Sequence, residues 1–146
     1  MSLPPPRRGD VIRYSYLWAD ESASGREEAR KDRPAVVLAL SVMAESSQTR
    51  VLALAVTHTP PRDPADAVPF PAHLKTAIGL DDSPAWIVTT EGNAFVWPGP
   101  DLRPVPGRLP RVVVYGGVPA NLLQKVAQFY LANCVRQRAR LVRRTE

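Results

Sequence analysis

The sequence has little of what several large classes of protein require. Cys134 is the only cysteine, which leaves no internal disulfide and no cysteine-ligated metal site. No apolar run is long enough to span a bilayer, and the proline-rich first eight residues lack the apolar core of a secretion signal. No internal repeat is visible. We therefore expect a cytoplasmic protein in which Cys134 is a small buried residue of a helix rather than a reactive thiol.

Positive charge is concentrated at one end of the chain. The net charge is +5, but residues 134–146 contain five arginines and one glutamate, so the rest carries only +1. This basic C-terminal tail fits a contact with RNA or with an acidic partner. It fits equally a solvated helix end, where cations suit the helix dipole.

The length of 146 residues and the 45% hydrophobic content predict a single domain, residues 1–146, with one core. The 16 prolines are spread through the chain and indicate short strands joined by stiff connections. Residues 18–32 form a polar loop with too few apolar side chains to pack.

The apolar patterns predict strands first and a helix last. Strands are predicted for residues 9–17, 33–40, 50–57, 67–70, 85–90 and 111–115, and a short helix for residues 72–78. A longer amphipathic helix follows Pro119 and aligns Leu122, Val126 and Phe129 on one side. We expect a mainly β fold with a C-terminal helix, built as a strongly bent antiparallel sheet or small barrel.

Two polar residues lie at strand boundaries. Arg33 opens the strand that begins Arg33-Pro34, and Thr57 ends the next one, just before His58 and two prolines. A guanidinium and a hydroxyl held together by adjacent strands can bind a phosphodiester without a metal. The pair is therefore a candidate phosphate site.

A set of landmarks between residues 9 and 93 resembles the PemK/MazF family of bacterial toxins, and the final helix fits the same plan. They are Gly9-Asp10-Val11, the charged loop with Gly25 and Glu28, Arg33-Pro34, Ala55-Val56-Thr57 and Glu91. The resemblance rests on their order and approximate spacing together, since each landmark alone is weakly specific.

The resemblance implies a small SH3-like barrel of the PemK/MazF/CcdB type that works as a homodimer and is inhibited by a cognate antitoxin. It implies a metal-independent, cofactor-free endoribonuclease that cuts single-stranded RNA, such as mRNA, at short sequences. The products would be a 2′,3′-cyclic phosphate and a 5′-hydroxyl. The catalytic arginine and threonine of the family correspond here to Arg33 and Thr57.

One departure from the family pattern concerns the proton donor. Many members have an arginine where this chain has Ala94, so a phosphate contact or proton donor is missing. His58 is the candidate substitute, provided that the strand bends or ends at Thr57. Glu91 is a candidate catalytic or RNA-contacting residue, although a strand-end carboxylate also binds backbone amides.

Aromatic and charged residues supply candidate RNA contacts. Trp18 and Trp97 are candidates for exposed stacking platforms, whereas Trp86 fits the core and His73 the surface. The polar loop adds the remaining candidates, which are Arg26, Glu28, Arg30 and Lys31.

Two other functions fit the same sequence. One is a noncatalytic toxin like the CcdB proteins, which bind DNA gyrase. The other is a nucleic-acid-binding barrel that has lost catalysis, a reading that Ala94 supports.

Overall fold

The computed structural model of the chain describes residues 3–23 and 32–144. These residues form a mainly β fold with one long helix near the C-terminus. The strands are β1 Asp10–Tyr14, β2 Arg33–Val42, β3 Thr49–Thr57, β4 Ala67–Pro69, β5 Trp86–Val88, β6 Glu91–Trp97, β7 Val114–Gly117 and β8 Arg140–Arg143. The helices are α1 Ala19–Ala23, α2 Ala72–Ala77 and α3 Ala120–Val135, with a 3-10 turn at Pro64–Asp66. Within the described ranges no helix has the length and apolar character needed to cross a membrane.

All eight strands belong to one sheet that does not close into a barrel. Its main path runs β4-β5-β3-β2-β1-β7, and β6 joins it by pairing with β3 and with β8. The pairs are antiparallel except for β6 and β8, which are parallel. Strand β3 changes partner along one edge: residues 49–53 pair with β6, and Val56 and Thr57 pair with β5. This change of partner leaves a gap in the sheet beside the end of β3.

The central strands β2 and β3 have an apolar cluster on each face. Val36 and Leu54 lie in the first cluster, which packs against α3, and Ala35 and Ala55 lie in the second, with Tyr14, Tyr16 and Phe95. Because successive side chains of a strand point to opposite faces, a strand buried on both sides reads as a continuous apolar run. Strands β2 and β3 both have such a continuous apolar run.

Helix α3 confirms the predicted amphipathic helix. It follows Pro119 and buries Leu122, Leu123 and Val126 in the first cluster. Asn133 is also fully buried, and its Nδ2 donates to the carbonyl oxygens of Ala65 and Thr89. The helix is therefore fixed to the sheet over most of its length.

Several other predictions are confirmed or corrected. The hairpin of β2 and β3, the short strand β4 and the helix α2 lie where the sequence predicts them. The polar loop was expected to be unstructured, but it begins with α1, whose Ala19 is buried against Leu17 and Val142. Cys134 was expected to be buried and is exposed, because it lies on the outer side of α3.

The basic C-terminal tail begins at the end of α3, but its described residues beyond the helix are not a free charged segment. Residues 140–143 form β8 beside β6, and the arginines around it face carboxylates of the body. Arg138 contacts Asp63 and Asp66, Arg140 contacts Asp20, and Arg144 contacts Asp101. Much of the charge at this end is therefore balanced within the protein.

Candidate functional site

A cleft of about 800 Å³ opens where β3 changes partner from β6 to β5. The four residues predicted to be catalytic, Arg33, Thr57, His58 and Glu91, all line it. They come from the start of β2, the end of β3 and the start of β6. Strand ends that meet at a gap in a sheet bring distant parts of the chain to one place.

The sheet register brings Arg33 and Thr57 together. Ala35 and Ala55 are the last pair at this end of the hairpin, and the same antiparallel register extended by two residues would set Arg33 opposite Thr57. The alternation of side chains puts both on the face of the second cluster. Opposite residues on one face have Cβ atoms about 4.5–5.5 Å apart. The Arg33 guanidinium and the Thr57 hydroxyl can therefore bind the same phosphate.

The Arg33 guanidinium has a ring partner but no hydrogen-bond acceptor among the residues that the structure describes. Its Cζ lies 4.7 Å from the centroid of the Trp18 ring, and its Nε is buried without a partner. Asp32, the neighbour in sequence, is instead within 3.7 Å of Arg13 and 3.6 Å of Arg103. Arg33 is thus held by stacking on Trp18, and its N–H groups have no acceptor within residues 3–23 and 32–144.

Burial and neighbouring charges shift the pKa of Arg33 in opposite directions. Burial lowers the pKa of its guanidinium, while the charges of Glu21 and Tyr16 oppose that shift. An arginine stays charged despite such a shift because its ordinary pKa is so high. The result is a permanent, partly desolvated cation at the cleft.

Thr57 and His58 lie at the end of β3 and point to different surroundings. The Thr57 Oγ1 accepts a hydrogen bond from the Thr59 N–H at 3.1 Å, which leaves its own proton available to donate. The His58 Nδ1 lies 2.9 Å from the Pro84 carbonyl oxygen, and its Nε2 lies 3.1 Å from Asp81 Oδ2. The strand ends between the two residues, so both can line the same cleft.

Glu91 is fixed by hydrogen bonds at the first position of β6. Its Oε1 accepts from the Ala19 N–H at 2.8 Å and from the Tyr16 hydroxyl at 3.3 Å. Desolvation raises the pKa of the Glu91 carboxyl above its ordinary value, although these hydrogen bonds partly offset the effect. The carboxylate has a structural role, as well as greater basicity than an exposed one.

Ala94, where the family pattern has an arginine, does not line the cleft. It is buried in the middle of β6, opposite Leu52 of β3. Strand alternation turns its side chain to the sheet face opposite that of Glu91. The absence of an arginine here therefore removes no side chain from the Glu91 face.

Two charged residues of the cleft were missed by the sequence reasoning. Lys75 of α2 is only 1% exposed, and its Nζ donates to Asp81 Oδ1 at 3.3 Å and to the Ser83 carbonyl oxygen. Desolvation favours a higher pKa for the Asp81 carboxyl, but the hydrogen bonds from Lys75 and Ser83 and the charge of His58 outweigh it and lower the pKa. In the sequence, Lys75 follows Leu74 and comes three residues before Ile78. This spacing indicates the inward side of a helix.

The predicted RNA-binding residues have different outcomes. Trp18 lines the cleft but is half-buried, with the Arg33 guanidinium over its ring. Trp97 was expected to be exposed, and this is wrong: it is 8% exposed, packs near Phe95 and donates its Nε1 proton to the Pro4 carbonyl oxygen, away from the cleft. The other candidates, Arg26, Glu28, Arg30 and Lys31, lie outside the described residues.

Trp86 in β5 and His73 in α2 are the two remaining residues with predicted positions. Trp86 was expected in the core but is only half-buried, at the pairing position opposite Thr57. His73 is exposed, as expected.

A second layer of contacts fixes the wall of the cleft. Asn93 is fully buried; its Oδ1 accepts from the Leu17 N–H at 2.9 Å, and its Nδ2 donates to the Leu17 carbonyl oxygen at 2.8 Å. This reciprocal pair fixes the backbone just before Trp18. The wall that carries Trp18 is therefore rigidly joined to β6.

Most acidic side chains of the cleft are already paired with arginines outside it. Asp20 faces Arg140, and Asp66 faces Arg138, as Asp32 faces its two arginines. Among the described residues no group of three potential metal ligands occurs.

A search against models of known protein families and a search of curated proteins both gave no match. The geometry of the cleft is thus the basis for a functional assignment.

Proposed function

We propose that the protein is the toxin of a toxin–antitoxin system and acts as an endoribonuclease on single-stranded RNA, with an SH3-like barrel of the PemK/MazF type. The observation that carries this proposal is the Arg33 guanidinium. It is partly buried, faces no acceptor in the described part of the chain and lines a cleft that Thr57 also lines. The sequence resemblance supports the same assignment.

A phosphodiester is the ligand that best matches this arrangement. Leaving buried N–H groups without acceptors costs free energy, about 1–3 kcal/mol for each such group. A phosphate offers several charged oxygens to the planar guanidinium, and the Thr57 hydroxyl supplies a further donor. The cleft therefore gains most by binding a phosphate.

The proposed reaction uses the ribose of the substrate as the nucleophile. Glu91 takes the proton of the 2′-hydroxyl, and the 2′-oxygen forms a bond with the adjacent phosphorus. The bond from phosphorus to the 5′-oxygen breaks, and that oxygen receives a proton from His58. Arg33 and Thr57 stabilise the negative charge that builds on the phosphate oxygens. The products are a 2′,3′-cyclic phosphate and a 5′-hydroxyl, and no metal or cofactor takes part.

The nature of the cleft favours unpaired RNA. Its volume of about 800 Å³ is that of a small-ligand pocket, which suits an extruded nucleotide rather than a duplex. The reaction itself requires a 2′-hydroxyl, which DNA lacks. Apolar side chains of Val56, Ala85 and Val88 line the cleft and can contact a base.

We propose in addition that the toxin is a homodimer inhibited by an antitoxin. The open sheet leaves β4, β7 and β8 as edges within the described residues. On α3 the side chains of Leu131 and Val135 are 62% and 84% exposed, one helical turn apart. Edges and exposed apolar side chains are features that a second subunit covers. Light scattering at micromolar concentration should give twice the mass of the 146-residue chain.

The test of the proposed function is RNA cleavage by the purified protein in EDTA. We expect a long single-stranded RNA to be cut at a few sequences, with 2′,3′-cyclic phosphate and 5′-hydroxyl ends. A noncatalytic toxin of the CcdB kind would leave the RNA intact and trap DNA gyrase. A nucleic-acid-binding barrel without catalysis would bind the RNA and release it uncut.

A further inference from the structure

Three ionisable side chains form a continuous chain at one end of the cleft. Buried Lys75 donates to one carboxylate oxygen of Asp81 at 3.3 Å, and the other oxygen lies 3.1 Å from His58 Nε2. We call this the Lys75–Asp81–His58 chain. The proposed function gives no role to Lys75 or Asp81.

Both ring nitrogens of His58 have a hydrogen-bond partner. The Pro84 carbonyl oxygen lies 2.9 Å from Nδ1, and the Asp81 carboxylate lies 3.1 Å from Nε2. A neutral imidazole has one N–H and can donate to only one of these acceptors, whereas the imidazolium donates to both. In the imidazolium form, the Nε2 proton faces Asp81 and is the proton that the ring can transfer.

Asp81 can release His58 without losing its own partners. Besides His58, its carboxylate accepts from Lys75 Nζ and from the Ser83 N–H at 3.1 Å. His58 and Asp81 are also 56% and 58% exposed in their side chains, so the ring has room to turn towards a substrate. Lys75, at 2% side-chain exposure, is the fixed end of the chain.

We propose that Asp81, anchored by Lys75, is the positioning residue that holds His58 as the proton donor for the leaving 5′-oxygen. This inference rests on the proposed ribonuclease function. The His58 ring turns from Asp81 towards the substrate and so breaks its hydrogen bond with the carboxylate. When the bond from phosphorus to the 5′-oxygen breaks, its electron pair stays on that oxygen, which takes the Nε2 proton of His58, and the ring then returns to Asp81. Asp81 keeps its charge and its bond to Lys75 throughout. Solvent then returns the proton to His58.

The test compares two RNA substrates that differ at one atom. In the second, sulfur replaces the leaving 5′-oxygen, and a thiolate departs without needing a proton. Cleavage is measured at a single turnover for wild type, His58→Ala, Asp81→Asn and the double variant. Asparagine has the shape of aspartate and still accepts from the Ser83 N–H, so the loop is retained. His73→Ala and Asp82→Asn are matched controls, since both residues are exposed and do not line the cleft.

On the ordinary RNA we expect His58→Ala to lower the rate about 100-fold, the low end for a lost general acid. Asp81→Asn should lower it about 10-fold in wild type but by less than about twofold in His58→Ala, because residues that act through one another are not additive. On the sulfur substrate each variant should cleave within about threefold of wild type. The two controls should match wild type on both substrates.

Four results would overturn the inference. If Asp81→Asn costs the same with and without His58, Asp81 does not act through the histidine. If the sulfur substrate rescues neither variant, the chain does not serve leaving-group protonation. If wild type cleaves in an Arg33-dependent way and both His58→Ala and Asp81→Asn keep full activity, this inference fails but the proposed function stands. If wild type does not cleave RNA, the proposed function and this inference fail together.

Discussion

Arg33 is partly buried and Arg144 is buried, and the surroundings of the two arginines are opposite. Arg144 donates to the Ser15 carbonyl oxygen at 2.5 Å, forms an ion pair with Asp101 at 3.0 Å and lies over the Tyr14 ring. Arg33 lies over a ring as well, but faces no acceptor in the residues that the structure describes. A fully bonded arginine stabilises the fold. An arginine whose charge is held in place without acceptors is organised for a ligand.

This comparison leads first to a prediction for Arg33, where the largest effect is expected. Arg33→Ala should lower the rate of RNA cleavage by about two to three orders of magnitude, the effect of removing one donor to a transition-state charge. Stability should change little, because the side chain makes no hydrogen bond within the described structure. Single-turnover cleavage and urea unfolding of the same preparation measure both. Arg111→Ala, at an exposed arginine outside the cleft, is the control, and full activity of Arg33→Ala would refute the site.

Arg144 should show the reverse pattern. Arg144→Leu leaves the Asp101 carboxylate and the Ser15 carbonyl without their donor, and breaking a buried pair costs about 3 kcal/mol of unfolding free energy. Arg143→Leu, at the exposed neighbouring position of β8, should stay within about 0.5 kcal/mol of wild type. Urea unfolding compares the two. Equal stabilities would mean that Arg144 is not structural, and the contrast with Arg33 would be lost.

Glu91 combines the two kinds of role, so its variant should separate them. Glu91→Gln keeps an acceptor for Ala19 and Tyr16 but removes the base, and cleavage should fall about 100-fold. Because burial raises the folded-state pKa of Glu91, its contribution to stability is present below its ordinary pKa and lost as pH rises through the folded value. The stability of wild type relative to Glu91→Gln should therefore decrease between pH 4 and pH 7. Unfolding curves at both pH values test this, and an increase would contradict the sign.

The sequence was sufficient for the parts of the fold that depend on local patterns. The apolar runs predicted β2 and β3 nearly to their ends, and Pro119 with the spacing after it predicted α3. The positions of Arg33 and Thr57 followed from the same runs, because each lies at the boundary of a strand. Their shared cleft then depended only on the antiparallel register of one hairpin.

The parts that were missed depend on distant residues. Strand β6 was not predicted, since Gly92-Asn93 is a typical turn pair. The glycine is instead required for close packing, because a Cβ there would lie 2.8 Å from a Leu52 methyl carbon. Strand β8 has a basic sequence and forms only because β6 offers it a parallel edge. Local spacing indicates only that Lys75 faces inward from α2, whereas its meeting with Asp81 and His58 in the cleft depends on tertiary packing.

The most direct test of the Arg33 site uses a ligand that binds but cannot be cleaved. A DNA oligonucleotide with the sequence of a cleaved RNA lacks the attacking 2′-hydroxyl and keeps the phosphates. Its affinity is measured by calorimetry at one low salt concentration for wild type, Arg33→Ala and Arg111→Ala. We expect Arg33→Ala to bind the oligonucleotide at least about 10-fold more weakly than Arg111→Ala, because a hydrogen bond from a charged group contributes about 1.5–3 kcal/mol. Equal affinities of the two variants would show that Arg33 does not bind the phosphate.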